Sequence, residues 1–399
     1  MRLGSLRMTN RRSQLPLFPS RGPTVRLSDA VLDERLRGGG TRYLALEPRR
    51  VLNPPAQTGM EFWSLNPYVG CEFGCTYCYA RYAHRYVVER AHDAGKLDDA
   101  ELSDFRGEHG WEAFEKRIFV KEGILAALDR DLRKFFRSNS PTVRPSDSVV
   151  IGTATDPYQP AERDFKLTRA VLERLARYEG LSVGVITKSP LVARDADVFR
   201  RLAERNDLEI LISLITVDVD LIRAFEVRSP TPAVRLRAVA KLAAAGLNVG
   251  LIVAPVLPGV TDDRRHLEAL FRAAREAGAR FVYASPLRLY PAVRDRFLPV
   301  LEERFPALAE RYRTAFASQG AAPRAYARAL QRRVRRLQLE HGFPVNRGMV
   351  DRYEKRLPPV QNDLFATAPS RRESSPAHSP PPDYSPRSTP RSDAVSPPP

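Results

Sequence analysis

Short runs of aliphatic and β-branched residues alternate along the middle of the chain with longer stretches whose apolar positions recur three and four residues apart. Phe62–Leu65, Ile118–Val120, Ser148–Thr153, Ser182–Thr187, Leu208–Leu214, Asn248–Pro255 and Arg280–Ala284 read as strands. Phe165–Tyr178 reads as a helix with Leu167, Val171, Leu172 and Leu175 on one face. An amphipathic stretch through Phe136, Asp195–Glu204, Thr231–Ala245 and Arg264–Ala277 also read as helices, the last two ended by Gly246 and Gly278. Most of the strands are apolar at almost every position, so both of their faces are expected to be covered. Helices of this length between such strands imply right-handed βα units on a parallel sheet. The expected fold class is α/β, a partial (β/α)6-type barrel with its chemistry at the C-terminal ends of the strands.

Outside this pattern the chain changes character. Residues 1–50 read as an irregular basic arm, 51–290 as the barrel, 291–360 as a basic helical extension containing the Arg-rich helix Ala325–Gly342, and 361–399 as a disordered tail. From Ala366 to Pro399 the tail carries ten Pro and eight Ser, too few apolar groups to bury. The net charge of +17 sits in the flanks: residues 1–50 hold 11 basic and 4 acidic side chains, and residues 321–360 hold 10 and 3. A local basic surplus favours anionic partners such as nucleic acid, although a general preference for Arg would produce the same count. The stripe Arg328, Arg332, Arg333, Arg335 and Arg336 is open to the same two readings, phosphate contact or solvated helix face. No apolar run reaches membrane-spanning or signal-peptide length, so a cytoplasmic protein without a membrane partner is expected. The Arg-rich, acid-poor first dozen residues leave a transit-peptide reading open.

The only three cysteines, Cys71, Cys75 and Cys78, fall in one eight-residue window with spacing C-x3-C-x2-C. An odd, clustered set argues against a disulfide framework and for metal binding in a reducing compartment. Three thiolates can hold three irons of a cuboidal 4Fe-4S cluster and leave the fourth iron open to a substrate or cofactor. A structural zinc site wants four ligands, and His84 is the candidate for the fourth. A plain electron-transfer cluster is the other alternative.

The block Asn66-Pro67-Tyr68-Val69-Gly70-Cys71-Glu72-Phe73-Gly74-Cys75-Thr76-Tyr77-Cys78-Tyr79-Ala80-Arg81 resembles the radical SAM superfamily, in which an aromatic such as Tyr77 precedes the third cysteine. Its opening and close are similar to the branch of spore photoproduct lyase and the DNA-repair-photolyase-like proteins. The resemblance implies a 4Fe-4S cluster on Cys71, Cys75 and Cys78, with S-adenosylmethionine (SAM) on the open iron. Reductive cleavage of SAM then yields a 5′-deoxyadenosyl radical that abstracts hydrogen from a C–H bond. It implies SAM contacts from Thr155 and Asp156 after one strand, Lys188 after the next, and Ser213 within a third. Each also has a bland reading: an Asp-Pro turn, a solvated strand-end lysine, a serine bonded to backbone. It further implies a reductant protein such as flavodoxin or ferredoxin.

The lyase carries a cysteine where this chain has Thr153, and a hydroxyl is a poor hydrogen-atom donor, so repair by the lyase's route is not expected. The cysteine count also excludes auxiliary clusters and methyl transfer through a methylated cysteine. A lyase-like or other C–H-activating enzyme remains, acting on DNA, RNA or a nucleotide. The alternatives are the same enzyme on a protein or small metabolite, and a non-catalytic iron-sulfur nucleic-acid-binding protein. Glu226 and Arg228, between the Ser213 strand and the next helix, read as a surface ion pair or as substrate contacts.

Overall fold

A computed structural model describes residues 14–15, 25–26, 40–93, 98–106, 112–137, 148–317 and 320–345. These lie within one compact unit, Met1–Asn362. The Pro- and Ser-rich tail and residues 346–360 fall outside the described residues. No described helix is long and apolar enough to cross a membrane.

Two sheets organise the chain. The first joins β1 (Gln14–Leu15), β2 (Val25–Arg26), β3 (Arg42–Leu46), β6 (Tyr68–Val69) and β7 (Arg117–Val120) in the order β1-β2-β3-β7-β6. The second contains β4 (Leu52–Asn53), β5 (Trp63–Leu65), β8 (Ser148–Ile151), β9 (Ser182–Thr187), β10 (Asp207–Ser213), β11 (Val249–Val256) and β12 (Val282–Pro286), in the order β12-β11-β10-β9-β8-β5-β4. From β5 to β12 every neighbouring pair is parallel and follows chain order, and β4 closes the edge antiparallel to β5. This is the connectivity of a partial (β/α)6 barrel. Five of the six strands are largely buried, and β12 is half-buried beyond Val282, because helices return along the sheet between them, among them Leu167–Leu175, Ala196–Ala203, Pro232–Ala244 and Arg264–Glu276. The main apolar core fills this layer and extends to Cys71, Phe73, Cys75 and Tyr77.

Several sequence expectations shift. Ile118–Val120 does form a strand, but in the smaller sheet: β7 pairs parallel with β3 and antiparallel with β6. The arm expected over residues 1–50 contains β3, whose Tyr43, Leu44, Ala45 and Leu46 are buried. The helix expected over Phe165–Tyr178 is two helices, Glu162–Phe165 and Leu167–Leu175, because Lys166 between them adopts a left-handed φ of 51°. The last described helix, Arg324–Glu340, packs Leu330, Val334 and Leu337 inward against β12 and the helix Arg264–Glu276.

The smaller sheet matters for the site. Its strand β6 runs directly into Gly70 and Cys71, so β7 fixes the start of the cysteine loop while β5 fixes the chain entering it.

Candidate active site

The cysteine loop hangs from the C-terminal end of β5, first of the six parallel strands. Asn66 locks the exit from that strand. Its amide donates to Ser64 Oγ at 3.0 Å and Thr153 Oγ1 at 3.1 Å, and its carbonyl accepts from the Ala154 N–H at 2.9 Å. The Lys121 ammonium donates to the Asn66 backbone carbonyl at 2.7 Å, and burial brings that lysine down to about 8. Tyr68 then donates to Glu162 at 2.5 Å, itself held by the Thr168 N–H and by Arg194, both at 2.9 Å.

Two glycines shape the loop. Gly70 has φ of 90°, and a Cβ there would come within 2.9 Å of the Phe114 carbonyl, which accepts from the Cys71 N–H. Gly74 has φ of 65°, and a Cβ there would meet Arg228 and Glu115. Only glycine satisfies both the backbone conformation and the close approach.

Four side chains brace the loop, three from outside it and one, Glu72, from within it. Gln159, fully buried, accepts from the Glu72 N–H at 3.0 Å and donates to the Gly70 carbonyl at 3.2 Å and to Thr155 Oγ1 at 3.0 Å. Glu72 accepts from the Ala161 N–H and from the Tyr43 hydroxyl, both at 2.9 Å. Arg81 donates to the Cys75 carbonyl at 2.7 Å and to Glu115 at 2.6 Å. Arg228 donates to the Glu72 carbonyl at 2.7 Å and to Glu115 at 2.5 Å. Sequence reasoning did not single out Gln159 or Glu115; each lies tens of residues from the loop it braces, and nothing local marks it.

The segment after the helix Val219–Phe225 pairs with the loop like an added strand. Thr76 donates its N–H to the Phe225 carbonyl at 2.8 Å, Arg228 donates its N–H to the Phe73 carbonyl at 3.0 Å, and Cys75 bridges Glu226. Glu226 and Arg228 therefore do not form the expected surface pair. Glu226 is fully buried, accepts from Tyr77 and is paired with Arg235, also fully buried, while Arg228 turns to Glu115. Burial opposes ionisation of Glu226, but Arg235 and then Lys188 outweigh it and hold its carboxyl below the usual glutamate value.

The three thiols lie close enough to act on one another's ionisation. Cys71 and Cys75 are buried and Cys78 is half-buried, all three as free thiols. Burial pushes the Cys71 thiol well up and Cys75 to about 12, and the neighbouring thiols add to both shifts. Such groups become thiolates when a cation compensates them, so the donor set fits an iron-sulfur cluster. Among the described residues no three His, Cys, Asp or Glu side chains converge on one point for a single ion. A cuboidal cluster asks for something different, one thiolate for each of three irons. His84 does not serve as a fourth ligand: its Nε2 bonds the Arg117 carbonyl at 2.9 Å and its ring packs against Phe105, Phe114 and Phe119.

The expected SAM contacts lie at or just after the C-terminal ends of β8, β9 and β10. Lys188, half-buried after β9, places Nζ 5.7 Å from the centre of the Tyr77 ring. Burial opposes its charge, yet Cys75 and Glu226 outweigh burial and shift it upward overall. Ser213 ends β10, with its carbonyl accepting from Arg235 at 2.8 Å. Thr155 and Asp156 are buried and largely engaged within the protein. Thr155 donates to the Gly70 carbonyl at 2.5 Å. Asp156 accepts from Thr187 at 2.6 Å, the Lys188 N–H at 2.7 Å and the Tyr158 N–H at 2.9 Å. Asp156 thus ties the end of β8 to the end of β9. Tyr79, partly exposed, donates to the Thr153 carbonyl.

Fold and site together define an α/β enzyme whose three-thiol loop is anchored at the C-terminal ends of parallel strands. A family model described as the Radical SAM superfamily matches residues 127–272, covering β8 to β11 and leaving the cysteine loop outside the match. An uncharacterised protein of Mycobacterium tuberculosis is 32% identical over 76% of this chain and 82% of its own length. An uncharacterised protein of Methanocaldococcus jannaschii is 26% identical over 55% of this chain and 69% of its own length. Among solved structures, spore photoproduct lyase complexed with dinucleoside spore photoproduct superposes with a TM-score of 0.52 at 16% identity, covering 75% of this chain and 79% of that one. At that identity the likeness is one of fold. The chain belongs to the radical SAM superfamily.

Proposed function

We propose that this protein is a single-cluster radical SAM enzyme that abstracts hydrogen from a C–H bond, with a nucleic acid or nucleotide as substrate. Cys71, Cys75 and Cys78 would hold the 4Fe-4S cluster. The observation that supports this most is the cysteine loop itself: three free thiols, two of them buried, held at the ends of parallel strands by Gln159, Glu115 and the added segment from Phe225. The cluster and SAM, when bound, supply the radical chemistry; the chain's own residues bind, orient and exclude water.

Lys188, beside Tyr77 and the thiols, would receive the SAM carboxylate, and Ser213, one strand further along, would contact SAM as well. Asp156 fixes the backbone of Lys188 and Thr155 fixes that of Gly70, so both support the cofactor pocket through the residues they hold. Tyr77, its hydroxyl tied to Glu226, would present its ring beside the Lys188 ammonium at the edge of the pocket. Thr153 has no thiol to return a hydrogen atom, which argues against the lyase's own route. The basic flanks are what favours a nucleic acid over a protein or metabolite.

Anaerobic reconstitution with iron and sulfide, followed by SAM and dithionite, tests the proposal. Charge-transfer absorbance near four irons per chain and formation of 5′-deoxyadenosine are expected. A protein that takes up no cluster, or whose cluster leaves SAM intact, sinks the reading. Salt-dependent binding of DNA or RNA, steep in log–log form, supports a nucleic-acid substrate, and salt-independent or absent binding points to the other substrate classes.

A further inference from the structure

One hydroxyl reaches a cysteine of the loop from a distant part of the chain. Ser229 follows the segment that pairs with the loop, and only 1% of it is exposed. Its backbone is fixed on three sides. The Ser229 N–H donates to the Glu226 carbonyl at 2.9 Å, closing a turn, and the Ser229 carbonyl accepts from Arg223 at 2.9 Å. The next carbonyl, that of Pro230, accepts from Arg235 at 2.8 Å. The hydroxyl itself lies 3.6 Å from Cys75 Sγ, and among the described residues this is its only hydrogen-bond partner. No side-chain hydroxyl stands in the same relation to Cys71 or Cys78 among the described residues.

A buried hydroxyl that meets nothing but a neutral thiol is poorly satisfied, because that sulfur is a weak acceptor. An iron-bound thiolate carries negative charge, and a hydroxyl donating to it forms a charge-assisted bond, the stronger kind. The placement of Ser229 therefore suits Cys75 as a cluster ligand better than Cys75 as a free thiol. The carboxylate of the same segment, Glu226, does not draw the hydroxyl away, since it is engaged by Arg235 and Tyr77.

We infer that Ser229 is a positioning residue for the cluster: its hydroxyl donates to the Cys75 thiolate and stabilises the reduced cluster relative to the oxidised one. The inference rests on the proposed function. Hydrogen bonds to cluster sulfurs are among the groups that set a cluster's reduction potential. An added electron makes the thiolates more negative, so the Ser229 bond strengthens on reduction and the potential rises. In that step the reductant loses one electron and the cluster gains it. The proton stays on the Ser229 oxygen, and no covalent bond forms or breaks. Because the hydroxyl acts on Cys75 alone, it sets the iron at that corner apart from those on Cys71 and Cys78.

Ser229→Ala removes the hydroxyl and keeps both backbone bonds, and Ser229→Thr keeps the hydroxyl. The full-length proteins are reconstituted anaerobically and their iron and sulfide measured. Without SAM, the cluster is titrated with dithionite and the reduced form followed by electron paramagnetic resonance. Resonance Raman spectra of the oxidised cluster are recorded in H2O and D2O. At a fixed potential the ratio of reduced to oxidised cluster should fall about tenfold in Ser229→Ala, a downward shift of about 59 mV for one electron. Ser229→Thr should stay with the unaltered protein. The iron–cysteine stretching bands should shift in D2O in the unaltered protein and in Ser229→Thr, and shift less in Ser229→Ala. A Ser229→Ala protein with a full cluster, the same potential and the same D2O shift overturns the inference and leaves the proposed function standing. So does a Ser229→Ala protein that loses its cluster while Ser229→Thr keeps it, since the hydroxyl would then hold the loop rather than tune the cluster. Bands in the unaltered protein that ignore D2O overturn it without recourse to a variant. An unaltered protein that takes up no cluster instead removes the proposed function, and this role of Ser229 with it.

Discussion

Replacing Glu226 by Gln tests whether the buried pair behind the cysteine loop supports it. Glu226 and Arg235 are both fully buried, and Arg235 also donates to the Pro230 and Ser213 carbonyls, each at 2.8 Å. Removing one member of such a pair leaves an uncompensated charge and typically costs 3–5 kcal/mol. Gln keeps the shape and one acceptor for Tyr77, and the two carbonyls still solvate the guanidinium, so the lower end, about 3 kcal/mol, is expected. In a chain of this size that corresponds to a melting shift of about 5 °C. The pair spans the loop through the Cys75–Glu226 bridge, so cluster occupancy should fall alongside stability. Arg235→Met should cost a comparable amount alone. In the double variant the unpaired charge is gone, and the coupling should reach roughly 2 kcal/mol. Denaturation of the apo proteins gives the cycle, and iron content gives the occupancy. Single variants within about 1 kcal/mol of the parent, or additive effects in the double variant, would refute the view of Glu226 as a buried counter-charge.

Three further outcomes follow from the same contacts. His84 is brought down to about 4 by burial, while an unfolded histidine titrates near 6.5. The unfolded chain therefore binds the extra proton between those values, and stability should fall by about 2 kcal/mol from pH 7 to pH 5 on this account, a slope that His84→Phe should flatten in denaturant titrations at each pH. Gly70→Ala forces a left-handed φ and a Cβ within 2.9 Å of a backbone carbonyl, so cluster content measured by iron and sulfide analysis should drop severely, whereas Gly180→Ala, with open space around it, should leave it intact. Lys188→Ala should retain the cluster spectrum yet weaken SAM binding tenfold or more in equilibrium titration, and undiminished affinity would remove Lys188 from the cofactor pocket.

The barrel was legible because buried parallel strands carry a near-continuous apolar pattern. Ser182–Thr187 matches β9 residue for residue, and the helices ended by Gly246 and Gly278 fall within a residue or two of their expected limits. The smaller sheet was not legible. Tyr43 to Leu46 sit in a basic, Pro- and Gly-rich region that reads as an arm, and they become a strand because β7 offers an edge more than seventy residues away. The break at Lys166 was likewise hidden, since the apolar spacing continues across it and Glu162 draws the Thr168 and Arg169 amides into a cap.

The sequence by itself determined the chemistry's raw material: three thiols in one loop, glycines where the loop must turn, and strands whose ends would carry it. Local spacing is enough for these, because each depends on neighbours along the chain. Tertiary structure decided what surrounds the thiols. It turned Asp156 and Thr155 inward as braces, buried Glu226 against Arg235, set three arginines on Glu115, and laid Val227 and Arg228 over the loop as its outer face. Whether a charged side chain is a counter-ion or a brace depends on which distant groups desolvate it, and no local pattern records that.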